Sequence, residues 1–352
     1  MKEGRPLAEI ASQIQKDSAA RKDFLSSTTQ LHYSPEHTDR GVIQFSVGKK
    51  EYEASPTRHC LGQICARSGI PSKYAERMIG EHAALLAQNV NYWWKHDPEK
   101  RMLRTLLNGQ HVARAFLSKQ YRPLENADLA AAILPKLAKL KCEVLSCEIT
   151  ETRLYIQAAT PKIEAKLVGD RVRAGIVIGN SEVGQGSIFL DPMLYYCRCL
   201  NGLIMPRAMS RYHIGRRNDP QFELDQASEY YTDATRQQDD KAFWMKVQDV
   251  ADGLFDPARF NAMVDKFENA TSQKINGVEA VEEVGSRFQL NEDERNAVLN
   301  HLIEGGDRSL FGLVNAVTRT ATDVESYDRS IELQRFGGQI LELPKTVWQS
   351  KN

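Results

Sequence analysis

A chain of 352 residues, 41% hydrophobic and 26% charged, is long enough to build a sizeable core, in two or three domains, without disulfide or metal staples. Its 46 Lys/Arg and 46 Asp/Glu cancel, which excludes a simple polycation, but residues 1–217 carry +11 and residues 218–352 carry −11. That asymmetry predicts a basic interaction module followed by an acidic one, or two halves that dock on each other. No apolar run approaches the roughly 18 residues of a membrane span, and MKEGRPLAEIASQIQKD has no apolar signal region. The six cysteines form no C-x-x-C. A cytosolic chain with free thiols, no metal, no cofactor and no membrane contact is expected.

Residues 5–24 place Leu7, Ile10 and Ile14 at helical spacing and run into a polar stretch, so residues 1–40 read as an N-terminal helix and loop. GVIQFSVGKKEYEAS alternates around a Gly48-Lys49 turn and predicts a hairpin. TRHCLGQICARSGIPSKYAERMI predicts two helices divided at Gly69 and Pro71. Such a pair can read a DNA groove, although most only pack. In QNVNYWWKHDPEKRMLRTLLNGQHVARAFLSKQYRPL, residues 88–124, Trp93 and Trp94 must point to opposite faces of a strand or about 100° apart on a helix. One belongs to the core, and the other is left for a base or a partner.

From 110 to 217, HVARAFLSKQYRPL, EVLSCEITETRLYIQAAT, RVRAGIVIGNSEVGQGSIFL and MLYYCRCLNGLIM alternate and are rich in Val, Ile and Tyr. One helix, ADLAAAILPKLAKL, interrupts them and is entered through Glu125 or Asn126. Residues 41–217 are therefore expected to form a basic α+β module, a mainly antiparallel sheet with packed helices. Residues 218–352 read as an acidic, all-helical part capped by Asp and Asn, with Gly305-Gly306 and Gly337-Gly338 as stops.

Signatures of chemistry are sparse. No P-loop, nucleophile elbow, H-E-x-x-H or deaminase zinc motif is present. VGQGSIF lies between two strands and reads as a glycine turn, not a dinucleotide loop. Glu164 and Lys166 copy half of a metal-dependent nuclease strand, for which Glu148, Glu151 and Asp170 would have to converge on Mg²⁺. The fuller signal is three basic–aromatic clusters, the elements of a phosphate-tracking groove with stacking rings. Trp93, Trp94, Lys95, Arg101 and Arg104 follow Tyr92; Lys119, Tyr121 and Arg122 form the second cluster; Arg207, Arg211, Tyr212, His213, Arg216 and Arg217 form the third. The ordinary alternative for each is a core ring with a solvated charged rim.

SKQYRPLENADL, RLYIQAATP, VGDRVRAGIVIGNSEVGQGSI, YYCRCLNGLI and SLFGLVNAVTRTA together resemble the phage/plasmid-like proteins gathered as domain-of-unknown-function family 932, over about residues 55–340. The resemblance implies a mobile-element origin and supplies no active site. By architecture alone the layout is analogous to single-strand annealing proteins. The expectation is a non-sequence-specific binder of nucleic acid, single-stranded DNA rather than duplex, acting as a homo-oligomer in recombination or replication. The alternatives are a host-takeover or anti-defence protein that binds a host protein, and a metal-dependent nuclease.

Overall fold

The computed structural model describes residues 1–35, 40–197, 201–206, 208–211 and 233–348. Helix α1 (Leu7–Ala20) forms as its spacing predicts, but the polar stretch after it is not a loop. Strands β1 (Arg21–Ser27) and β2 (Leu31–Ser34) run there as the two edges of the first sheet. Polar sequence suits an edge, where one side of the strand faces water and the backbone bonds come from a single neighbour. The neighbours are β5 (Lys100–Asn108) for β1 and β3 (Val42–Val47) for β2.

With β4 (Lys50–Pro56) and β6 (Gln110–Ser118), the order of this sheet is β1-β5-β6-β4-β3-β2. Gly48, at φ 63°, makes the β3–β4 turn. The β4–β6 pairing is parallel and covers only Ser55↔Val112 and Pro56↔Ala113. Helices α2 (Arg58–Arg67), α3 (Ser72–Glu81) and α4 (Ala83–His96) lie on one face. Leu61, Ile64, Met78, Leu86, Val90 and Trp94 there meet Ile43, Phe45, Leu103 and Phe116 of the strands. Thr57 caps α2 by accepting from the Cys60 amide at 3.1 Å, and Gly69 (φ 69°) turns the chain into α3.

The second sheet is β7 (Glu143–Ile149), β8 (Leu154–Leu167), β9 (Asp170–Asn180), β10 (Ile188–Tyr196) and β11 (Gly202–Ile204), in antiparallel order β11-β10-β9-β8-β7. The short β12 (Met209–Arg211) pairs with the first part of β10 and β11 with its last part, so Asp191 and Pro192 fall in the gap between them. A proline, having no N–H to donate, belongs at such a gap. The centre of this sheet is buried on both faces: β10 along its whole length, β8 over Leu154–Thr160 and β9 over Ala174–Asn180. Apolar residues therefore run continuously where alternation was expected. Helix α5 (Asn126–Lys139), α1, α6 (Asp233–Leu254) and α7 (Pro257–Asn269) share the core of one face, and Tyr327 and Ile331 of α11 (Tyr327–Glu342) join that of the other. Helices α8 (Gly277–Arg287), α9 (Glu292–Gly305) and α10 (Leu310–Thr320) extend the first core.

The fold is α+β with a helical C-terminal region, and ion pairs of both polarities tie the C-terminal helices to the preceding residues. Arg122 pairs with Asp240 at 2.7 Å and Lys136 with Asp252, while buried Asp191 is neutralised by Arg335 at 2.8 Å. Gly306, left-handed at φ 66°, ends α9 as expected. Gly337 and Gly338 do not end a helix; they lie inside α11. A Cβ on Gly337 would come within 2.5 Å of Thr318 Cγ2, and one on Gly338 would collide with the Ile204 carbonyl. The glycine pair lets α11 press directly on β11. Among the described residues no helix is long and apolar enough to cross a membrane.

Candidate functional site

Helix α4 decides the fate of the first cluster. Its rotation is fixed by Leu86, Val90 and Trp94, which are buried at a spacing of four residues. Trp94 is 3% exposed and stacks on Phe116 with ring centroids 5.7 Å apart. Trp93, about 100° further round, is 45% exposed, and Tyr92 is 54% exposed. One tryptophan packs and its neighbour stands in solvent. Tyr92 meets Trp93 edge-on at 5.3 Å and stacks on His96 at 4.0 Å, and the His96 ring Nδ1 lies 2.8 Å from the Tyr92 carbonyl oxygen. The result is a run of rings along the helix surface beside exposed Lys95.

A small cavity of about 240 Å³ lies against Trp93 and is lined by Arg67, Ser68, Gly69 and Asp97. Arg67 is held there by Asp97 (2.9 Å) and by Glu99. Helix α3 adds Tyr74, 50% exposed, and exposed Lys73. The sequence reading missed Tyr74 and His96. The signal for His96 is its i, i+4 relation to Tyr92 once the segment is taken as a helix.

Several candidates are not on a surface. Arg101 pairs with Glu99 and lies over the Phe116 ring at 5.7 Å. Arg104 is 0% exposed and Tyr121 9%. Arg122 is engaged by Asp240, whereas Lys119 is exposed. Trp94, Arg104 and Tyr121 are therefore corrected from nucleic-acid contacts to interior residues. Strand alternation turns Arg104 toward the second sheet, where its counter-charges come from distant parts of the chain. Of the third cluster, Arg211 ends β12 opposite Ile188. Its side chain and Arg207, Tyr212, His213, Arg216 and Arg217 lie outside the described residues.

Arg104 is the centre of an ionic network between the two sheets. It donates to both carboxylate oxygens of Asp23 (3.0 and 2.9 Å), to both of Glu125 (3.2 and 2.6 Å) and to the Glu182 carbonyl (3.0 Å). Arg21 also reaches Glu125 at 2.7 Å, and Arg114 reaches Glu182 at 2.9 Å. Glu182 accepts from the Asn126 amide at the start of α5 (2.8 Å), and Asn180 donates to the Leu124 carbonyl (2.7 Å) and to Asn126 Oδ1 (2.9 Å). The Y-R-P-L segment and the N-S-x-x-G turn at Asn180–Gly184 thus meet here.

Burial pushes the Glu125 carboxyl up to about 7, against the pull of Arg104. Burial also disfavours ionised Glu182, but Arg114, the Asn126 amide and Arg104 outweigh it and hold that carboxyl below its ordinary range. A buried charge set with this many mutual bonds fixes geometry, and its removal in part is expensive.

The nuclease constellation does not assemble. Glu151 precedes β8 and Glu164 lies ten residues past its start, about 33 Å along an extended strand. Glu148 is bound by Arg5, Glu151 by the His59 amide, and Glu164 faces Arg171 and Arg173 at 3.9 and 3.8 Å. Among the described residues no three His, Cys, Asp or Glu side chains are grouped to hold a metal.

Comparison of the chain with protein-family models, with curated proteins and with solved structures found no match.

Proposed function

We propose that the chain binds single-stranded nucleic acid, with little base preference, on the outer surface of α3 and α4. The observation that carries this reading is the Tyr92–Trp93 pair, exposed beside Lys95 on a helix that the burial of Trp94 holds fixed. Each base stacked on such a ring contributes about 1–3 kcal/mol, and a preset platform forfeits little of it to ordering. The charge of the layer supports it: residues 58–96 hold five Lys/Arg against two Asp/Glu. The interior placement of Arg104 and Tyr121 narrows the surface to Tyr74, Tyr92, Trp93, Lys73, Lys95 and their neighbours. Single-stranded DNA handled by an oligomer during recombination or replication is the role suggested by the architectural analogy with single-strand annealing proteins, and it is part of this proposal.

Fluorescence anisotropy of a labelled strand of about 30 nucleotides, titrated at several salt concentrations, tests it. Three phosphate contacts predict a log–log salt slope near −2 for a single strand. Trp93→Ala should weaken binding about tenfold or more, the equivalent of one lost stack. Absence of binding at low salt overturns the reading, and the same face then becomes the bait surface for a host protein.

A further inference from the structure

Segments left without a role by strand binding converge elsewhere. The β8–β9 turn (Val168-Gly169-Asp170), Tyr196 at the end of β10, Asn201 before β11, helix α10 and the C-terminal part of α9 line one cavity of about 570 Å³. That volume lies within the range of small-molecule sites, which combine an apolar wall with a few convergent polar groups. The apolar wall is aromatic: Tyr196 and Phe311 are joined through Phe267, with ring centroids 5.8 and 4.6 Å apart. Helix α10 presents Phe311, Asn315 and Arg319 to the cavity at i, i+4 and i+8. This stripe of ring, amide and guanidinium spans about 12 Å.

The polar groups differ in how far the protein already uses them. Among the described residues the Asn315 side-chain amide has no partner, and it is half-buried. Asn201 lines the same cavity from the sheet side and accepts from the Met1 ammonium at 3.3 Å. His301 is fixed by Asp323 at 2.6 Å. Arg319 stands at the rim, half-exposed, 3.3 Å from Glu304. The two acidic lining residues are engaged by backbone amides, Asp307 by Ser309 (3.0 Å) and Asp170 by Arg171 (2.7 Å).

An aromatic wall, an amide able both to donate and to accept, and a cation about 12 Å from the ring end match a planar heterocycle with an anionic tail. We propose that this cleft binds a nucleoside monophosphate, with the base against Tyr196 and Phe311, its edge on Asn315, and the phosphate at Arg319. The site is separate from the α3–α4 surface and does not depend on strand binding.

Equilibrium dialysis of the full chain against AMP, GMP, CMP and UMP, with the matching nucleosides as a second arm, tests the proposal. At least one monophosphate should bind with a Kd below about 1 mM, roughly tenfold tighter than its nucleoside, the scale of one charge-assisted contact. Arg319→Ala should abolish that phosphate preference and leave nucleoside binding intact. Asn315→Ala should weaken both arms about tenfold, the effect of losing one hydrogen-bonding amide. Folded protein that binds none of the four monophosphates, or binding indifferent to both substitutions, overturns the proposal. Arg319 is exposed, so its truncation should leave the fold unchanged and that arm stands even if Asn315→Ala proves unstable.

Discussion

The two sheets treat their side chains differently. The second is enclosed on both faces through its centre, where β10, Leu154–Thr160 of β8 and Ala174–Asn180 of β9 are buried throughout. The first carries three helices on one face, and those helices display the large exposed rings of the described chain, Tyr74, Tyr92 and Trp93. The larger clusters of buried residues lie about the second sheet and its helices, while the first layer holds rings in water. Arg104 and its partners join the two.

Breaking the junction should give the largest effect. Arg104→Ala removes the buried guanidinium that bonds Asp23 and Glu125 and should destabilise by about 3–5 kcal/mol, read by urea unfolding. A loss within 1 kcal/mol would mean that the sheets are held together by apolar contact alone. Trp94→Ala should cost about 3–5 kcal/mol by opening a cavity over Phe116. Trp93→Ala, one residue away, should stay within about 0.5 kcal/mol in stability and act only on strand binding. Equal losses at the two positions would erase the distinction between core and platform. Gly338→Ala should destabilise by about 1–3 kcal/mol, because its methyl must displace the Ile204 carbonyl; thermal unfolding reads this.

The smallest effect is on pH dependence. Glu125 titrates ordinarily at 4.5 and is pushed up to about 7 in the fold. Between those values the folded chain keeps a proton that the unfolded chain has released, so this group favours the fold at acid pH and its contribution declines as pH rises toward 7. Glu182 has the opposite sign, its contribution being lost as pH falls through its lowered range. Glu125→Gln should flatten the decline in Tm between about pH 5 and pH 7. An unchanged slope would assign the decline to other groups.

Local signals served the sequence reading well. The Gly48 turn, the Gly69–Pro71 division of two helices, the opening of α5 at Glu125 and Asn126, and the capping of α9 by Asn291 and Gly306 each rest on a few neighbouring residues. So did the unequal fates of two adjacent tryptophans. Long-range complementarity was not visible. Nothing near Arg104 in sequence reveals that Asp23, Glu125 and Glu182 surround it, so its cluster read as a basic face. Gly337-Gly338 looked like a helix stop because the strand that needs their missing side chains lies more than 130 residues earlier. The strands of residues 21–34 were hidden because edge strands carry polar sequence. The cavity beside α10 escaped notice because its amide, ring and guanidinium are common residues whose shared direction appears only on a helix.

The contact of α11 with the second sheet also sets an order of events during synthesis. Tyr155 and Phe189 lie on the face that Tyr327 and Ile331 complete, about 170 positions after β8 begins. At roughly 5–20 residues per second a ribosome needs about 9–34 s to cover that interval. From the completion of β10 onward, the nascent chain holds an apolar sheet face without its helix. Chaperone engagement should therefore concentrate on ribosomes stalled between β10 and α11, and chains truncated before Tyr327 should aggregate.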